Sequence, residues 1–169
     1  MGLFDSFRKK ETLAAVNASD SQITAIADST IIDVKTVTDE MFAQEMMGKT
    51  IAFKSDTDQM TVCSPANGEL TVMFPTGHAF GIRMNNGVEL LVHIGVNTVN
   101  ENGKGFRILK KKQGDAVKAG DPIVTVDLKQ LRAKYDMSTM LIVTNTADHE
   151  VVFNDLKDVK RTDIIGEVR

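Results

Sequence analysis

The chain has 169 residues, 42% of them hydrophobic, and sets 20 Lys and Arg against 23 Asp and Glu for a formal net charge of −3. That content builds the core of one domain of ordinary size and excludes wholesale disorder. The acidic balance excludes a nucleic-acid partner gripped through its phosphates, which takes a surplus of Lys and Arg. The single cysteine, Cys63, excludes an internal disulfide and a thiolate metal site. No apolar run approaches the ~18 residues of a membrane span, and no signal peptide precedes a small-residue cleavage site. A cytoplasmic protein is therefore expected.

The first stretch, MGLFDSFRKK, stands apart. Leu3, Phe4 and Phe7 fall on one helical face and Arg8, Lys9 and Lys10 follow, a pattern suited either to contact of residues 1–10 with an anionic membrane surface or to a loose tail. The reading sets residues 1–21 as a flexible N-terminal tail and residues 22–169 as the domain. From Gln22 onward short apolar and β-branched runs alternate with turn signals. Strands are expected at Ile31–Val37, Thr50–Phe53, Gln59–Cys63, Glu69–Phe74, Ala79–Met84, Val88–Ile94, Ile123–Val126, Leu141–Val143 and Ile164–Val168. Asn67-Gly68 and Asn86-Gly87 stand between such runs as left-handed turn positions. Only Glu40–Met47 and Leu128–Tyr135 read as helical. The fold class is all-β, an antiparallel β-sandwich or distorted barrel with short helical turns.

An internal repeat shows in SPANGELTVMF and KKQGDAVKAGDPIVTVD, where Gly114-Asp115 and Gly120-Asp121 bracket Ala116-Val117. Each segment reads as half of a duplicated hybrid motif. Biotinyl and lipoyl carrier domains use the same device, but they need a modifiable lysine at a hairpin tip, and no Met-Lys-Met occurs here. Histidine is scarce: His78 stands before one apolar strand between small residues, and His93 ends another, Val88–Val92. If those strands are neighbours, the imidazoles converge. Such a pair can bind zinc, shuttle protons or act as a nucleophile. A phosphorylatable histidine needs an exposed neutral nitrogen, a donor to steady phosphoryl oxygens and access for a partner. His93 with His78 and Thr76 meets those needs. Cys63, followed by Ser64-Pro65, reads as a core residue, and His149 as a loop residue without a role.

The string SPANGELTVMFPTGHAFGIRMNNGVELLVHIGVNTVNENGKGF closely resembles the glucose-type enzyme IIA of the bacterial phosphoenolpyruvate:sugar phosphotransferase system. The small-Pro-x-x-Gly turn, T-x-H-A-F, G-V-E-L-x-V-H-x-G and G-x-G-F all appear in order, with the two histidines at the family's spacing. The resemblance runs from about Gln22 to the C-terminus. It implies a phosphotransferase component that takes a phosphoryl group from phospho-HPr on Nε2 of His93 and passes it to a cysteine of a glucose-type IIB domain. It further implies that Gly95 lends its carbonyl to His93, that His78 stabilises the phosphoryl group and that Thr76 orients an imidazole by its hydroxyl. No cofactor and no metal is expected. Asp39, Met41, Phe42, Phe74, Phe80, Leu91, Asn97 and Val99 match docking positions for the two partners.

Asn97 departs from the pattern, because well-studied members carry an aspartate there. The dephospho form is expected to bind regulatory targets through the same face, and a monomer is the simplest state for a domain docking two partners in turn. Two rival readings stand beside this one. The first is a zinc-dependent hydrolase of lysostaphin-like β-architecture, and the second is a regulatory binding module that has lost transfer activity.

Overall fold

A computed structural model describes residues 17–169 of the chain. The expectation for residues 1–10 therefore lies outside the described residues, as does most of the segment read as a tail. In chain order the strands are β1 (Gln22–Thr24), β2 (Ser29–Ile32), β3 (Thr50–Lys54), β4 (Gln59–Cys63), β5 (Gly68–Met73), β6 (Ala79–Met84) and β7 (Glu89–Ile94). They continue with β8 (Phe106–Ile108), β9 (Ala116–Val117), β10 (Pro122–Asp127), β11 (Thr139–Asn145), β12 (Val151–Phe153), β13 (Asp158–Val159) and β14 (Ile164–Val168). Two short helices, α1 (Glu40–Ala43) and α2 (Leu128–Arg132), and two 3-10 turns, Val34–Thr36 and Thr98–Glu101, complete the described elements. All strand pairings are antiparallel, so the all-β expectation holds.

An eight-stranded sheet runs β13-β2-β3-β11-β7-β6-β5-β9, and two three-stranded sheets, β4-β10-β8 and β1-β14-β12, complete the fold. The alternation in β7 explains the layering: Leu90, Val92 and Ile94 are buried, while Glu89, Leu91 and His93 are half-buried on the other face. The first set joins the main core with Phe53, Leu70, Phe80 and Leu141. The second faces a smaller apolar cluster of Val37, Phe42, Ala52, Val96, Met140 and Ile142, against which Leu91 packs. The large sheet thus has apolar contacts on both faces around β7, and His93 lies on the face covered by α1.

Several expectations are corrected. The strand read over Ile31–Val37 ends at Ile32, because the Asp33 carboxylate accepts from the Lys35 N–H at 3.0 Å and closes a 3-10 turn. The helix read over Glu40–Met47 stops at Ala43, with Glu45 left-handed at φ 53°. The helix read to Tyr135 stops at Arg132. Gly87 is left-handed at φ 94°, but Gly68 is not; a Cβ there would stand 1.9 Å from the Arg83 carbonyl oxygen, so close approach of backbones demands the glycine.

The repeated turn recurs a third time. In Lys112–Asp115, Lys118–Asp121 and Lys160–Asp163 the aspartate side chain accepts from the lysine N–H at 2.8, 2.8 and 2.9 Å. Gly114, Gly120 and Thr162 hold the left-handed position of each turn.

Candidate functional site

Register brings the histidines together. In the β6–β7 ladder Ala79 pairs with His93, and the Ile94 N–H donates to the His78 carbonyl at 2.7 Å, continuing the ladder one residue beyond β6. The two rings consequently lie edge to face, with centroids 5.2 Å apart and planes at 82°.

Each ring is fixed through Nδ1. For His93 the partner is the Gly95 carbonyl oxygen at 2.8 Å, which can only accept, so Nδ1 carries the proton and Nε2 keeps its lone pair. Gly95 reaches back because its backbone is left-handed at φ 77° and its N–H is held by the Ser138 carbonyl at 2.9 Å. A Cβ on Gly95 would lie 2.5 Å from Thr98 Cγ2 and 2.8 Å from Met137 Sδ. For His78 the partner is the Thr76 hydroxyl, across Gly77, which is left-handed at φ 75°.

Aromatic rings wall the pair: Phe42 is tilted against His93 at 4.9 Å and Phe74 stands edge-on to His78 at 5.2 Å. This enclosure moves the imidazoles toward the neutral form. Burial pushes His93 down to about 4, helped by the His78 imidazole and opposed by the Gly95 carbonyl and Asp39. Burial also lowers His78. Both rings are neutral at neutral pH, and His93 Nε2 is a nucleophile without needing a base.

The surrounding surface is apolar with an acidic edge. Asp39 caps α1, its carboxylate accepting from the Met41 N–H at 2.8 Å, and Asp136 accepts from the Thr38 N–H at 3.1 Å. These two bonds set the short helix so that Phe42 turns inward and Met41 outward. Met41, Phe74 and Val99 are 48%, 39% and 49% exposed. Asn97 is exposed and left-handed at φ 61°, leading into the 3-10 turn that carries Val99. Leu91 is half-buried under the α1 cluster. Phe80 is corrected: it is fully buried in the main core, on the opposite face of the sheet from His93, and cannot meet a partner.

Sequence reasoning missed Asp136 and Ser138, which brace this face from the strand β11 side. It also missed Met46, 68% exposed beyond α1. The Asp136-x-Ser138 spacing, in which the carboxylate accepts from both the Ser138 N–H and hydroxyl, was a readable local signal. Among the described residues no three His, Cys, Asp or Glu side chains converge to hold a metal ion, so a third protein donor for zinc is not at hand. No described helix is long and apolar enough to cross a membrane.

Comparison with known proteins defines the class. Residues 21–149 match the family described as phosphoenolpyruvate-dependent sugar phosphotransferase system, EIIA 1. The chain belongs to this family and is an EIIA component of the sugar phosphotransferase system. Among curated relatives it is 38% identical over 145 residues to the PTS system glucose-specific EIIA component of Halalkalibacterium halodurans, covering 86% of this chain and 82% of that one. It is 37% identical to the PTS system glucose-specific EIICBA component of Staphylococcus carnosus, where the match covers 80% of this chain but 20% of that longer protein. Among solved structures, the glucose permease IIA from Mycoplasma capricolum superposes with a TM-score of 0.78 at 36% identity, covering 86% of this chain and 93% of that one.

Proposed function

We propose that His93 is the phosphoryl acceptor of a glucose-type carrier, loaded by phospho-HPr and discharged to a cysteine thiolate of a IIB domain. In the first step the lone pair of His93 Nε2 attacks phosphorus, an Nε2–P bond forms and the N–P bond of the donor phosphohistidine breaks. In the second step the thiolate attacks, an S–P bond forms and His93 leaves as the neutral imidazole it was. The observation that carries the reading is the 2.8 Å contact of His93 Nδ1 with the Gly95 carbonyl, which leaves Nε2 as the free nucleophile.

His78, 5.2 Å away between ring centroids, is placed to donate from its own Nε2 to a phosphoryl oxygen. No metal is called for, since phosphohistidine is already a reactive donor; alignment and exclusion of water are the protein's share. The ring of Met41, Phe74 and Val99 with Asp39 is the docking face for both partners, which therefore bind in turn, to a monomer in the cytoplasm. Regulatory targets of the dephospho form would use this same face. The domain spans residues 22–169 together with Ala18–Ser21, which bond to Asn67, Asn85 and Val168, and residues 1–10 would contact an anionic membrane surface or form a loose tail.

The test is phosphoryl transfer from phosphoenolpyruvate through enzyme I and HPr, read by intact mass on wild type, His93→Ala and His78→Gln. One acid-labile phosphate on wild type and on His78→Gln, and none on His93→Ala, is the expected result. A phosphate retained by His93→Ala would overturn the assignment.

A further inference from the structure

The outward face of the β4-β10-β8 sheet floors a cavity of about 850 Å³ that is lined by none of Phe42, Phe74, Thr76, His78 and His93. Arg107, Lys110, Lys111 and Arg161 face Asp28 and Asp121 across it, a local surplus of two positive charges in a chain of net charge −3. Both carboxylates are committed. Asp28 accepts from the Arg161 N–H at 2.8 Å, and Asp121 accepts from the Lys118 N–H at 2.8 Å with the Lys111 ammonium at 3.8 Å. Arg161 also donates to the Gly120 carbonyl at 2.7 Å, and Lys111 to the Ala116 carbonyl at 3.0 Å. Among the described residues, the side chains of Arg107 and Lys110 make no hydrogen bond or ion pair.

The floor adds donors in a row. Thr125 is the register partner of both Thr61 and Arg107, and because Met60, Val62, Val124 and Val126 point into the core, the two threonines point outward. Their hydroxyls have no hydrogen-bond partner among the described residues. Ile108 and Pro122 supply apolar edges.

We infer that this groove binds a small phosphate ester, with Arg107 and Lys110 on the phosphate, the Thr61 and Thr125 hydroxyls on its oxygens and the organic part against the apolar edges. The charge surplus matches a phosphate dianion, a guanidinium suits the paired oxygens, and the volume is that of a metabolite site. The groove also shares a wall with the histidine site. The missing side chain of Gly77 lets Phe106 and Ile108 close on the Thr76–His78 loop; a Cβ there would come within 3.1 Å of Phe106 Cβ and 3.3 Å of Ile108 Cγ1.

The experiment is an amide-resolved NMR titration of the 15N-labelled full chain with glucose 6-phosphate. Glucose at equal concentration and sodium sulfate at matched ionic strength are the controls, and vesicles of anionic phospholipid form a separate arm. The expected result is saturable shifts at Arg107, Lys110, Lys111 and Thr125 with glucose 6-phosphate alone. Arg107→Gln and Lys110→Gln should each weaken that binding about tenfold while His93 phosphorylation proceeds at the wild-type rate. No saturable shift up to about 10 mM overturns the proposal, as do equal shifts from sulfate, affinity unchanged in both variants, or a response of these amides to vesicles only.

Discussion

The depressed pKa of His93 is the physical centre of the proposed chemistry and can be measured directly. Burial takes it from 6.5 to about 4, so at pH 7 roughly one ring in a thousand is protonated. That depression corresponds to about 3 kcal/mol favouring the neutral ring in the folded state. The folded-state value lies below the unfolded one, so the unfolded chain takes up the proton first as pH falls. Neutral His93 contributes its full stability above about pH 6.5 and loses it progressively toward pH 4. At pH 5.5 the loss from this residue is about 1.4 kcal/mol, in a range where ordinary carboxylates have barely begun to protonate. His78, lowered by burial, acts in the same direction. Side-chain NMR of the two histidines gives the titration midpoints, and urea unfolding at pH 7.5 and 5.5 gives the stability difference for wild type and His93→Gln. The expected outcome is a His93 midpoint near 4, Nδ1 protonated throughout, and a smaller acid loss in the variant by about 1 kcal/mol. A midpoint between 6 and 7, or equal acid losses in the two proteins, would refute the reasoning.

Three further outcomes follow from single contacts. Gly95→Ala forces a side chain into a left-handed backbone and to within 2.5 Å of Thr98 Cγ2. It should cost about 2–5 kcal/mol in urea unfolding and slow His93 phosphorylation, and a cost below about 1 kcal/mol would mean the carbonyl is not held as described. Thr139 has the one buried side-chain oxygen without a partner among the described residues, so Thr139→Val should raise stability by about 1 kcal/mol. A decrease would show that the hydroxyl has a partner in solution. Asn97→Asp keeps the left-handed backbone, which both residues tolerate, and adds a charge to the proposed docking face. Stopped-flow association with HPr should speed up several-fold at low salt and lose that gain at high salt; an unchanged rate would remove position 97 from the interface.

The strands that decide the site were legible because each is long enough to display its own pattern. The expected bounds of β4, β6 and β14 match, and β7 differs by one residue. Strands β1, β8, β9, β12 and β13 went unread: with two or three residues each, they exist through their partners and carry no period of their own. The third copy of the repeated turn was hidden for a different reason, since Thr162 at φ 89° occupies the position that glycine marks in the other two. Convergence of the histidines could not be read from their spacing, because it depends on the Ala79–His93 register and on one further ladder bond beyond it. The burial of Phe80 was in principle readable. In a strand, neighbours alternate faces, and in β6 Phe80 lies on the face that the core takes.

The two imidazoles are fixed by different chemistry, and that difference suits different tasks. A backbone carbonyl can only accept, so Gly95 commits neutral His93 to one tautomer, with the lone pair on Nε2 that the proposed attack on phosphorus requires. The Thr76 hydroxyl can donate or accept, so it commits His78 to neither. Had a second carbonyl held His78, both rings would turn lone pairs toward a doubly charged phosphoryl group, and the second ring would repel what the first had bound. With the hydroxyl donating to Nδ1, His78 carries its proton on Nε2, where the proposed reaction needs a donor to the phosphoryl oxygens. Because burial lowers the pKa of His78, it does this as a neutral ring. A neutral donor steadies the phosphoryl group without the strong attraction of a full positive charge, which fits a protein that must surrender its phosphate to the next acceptor as readily as it took it.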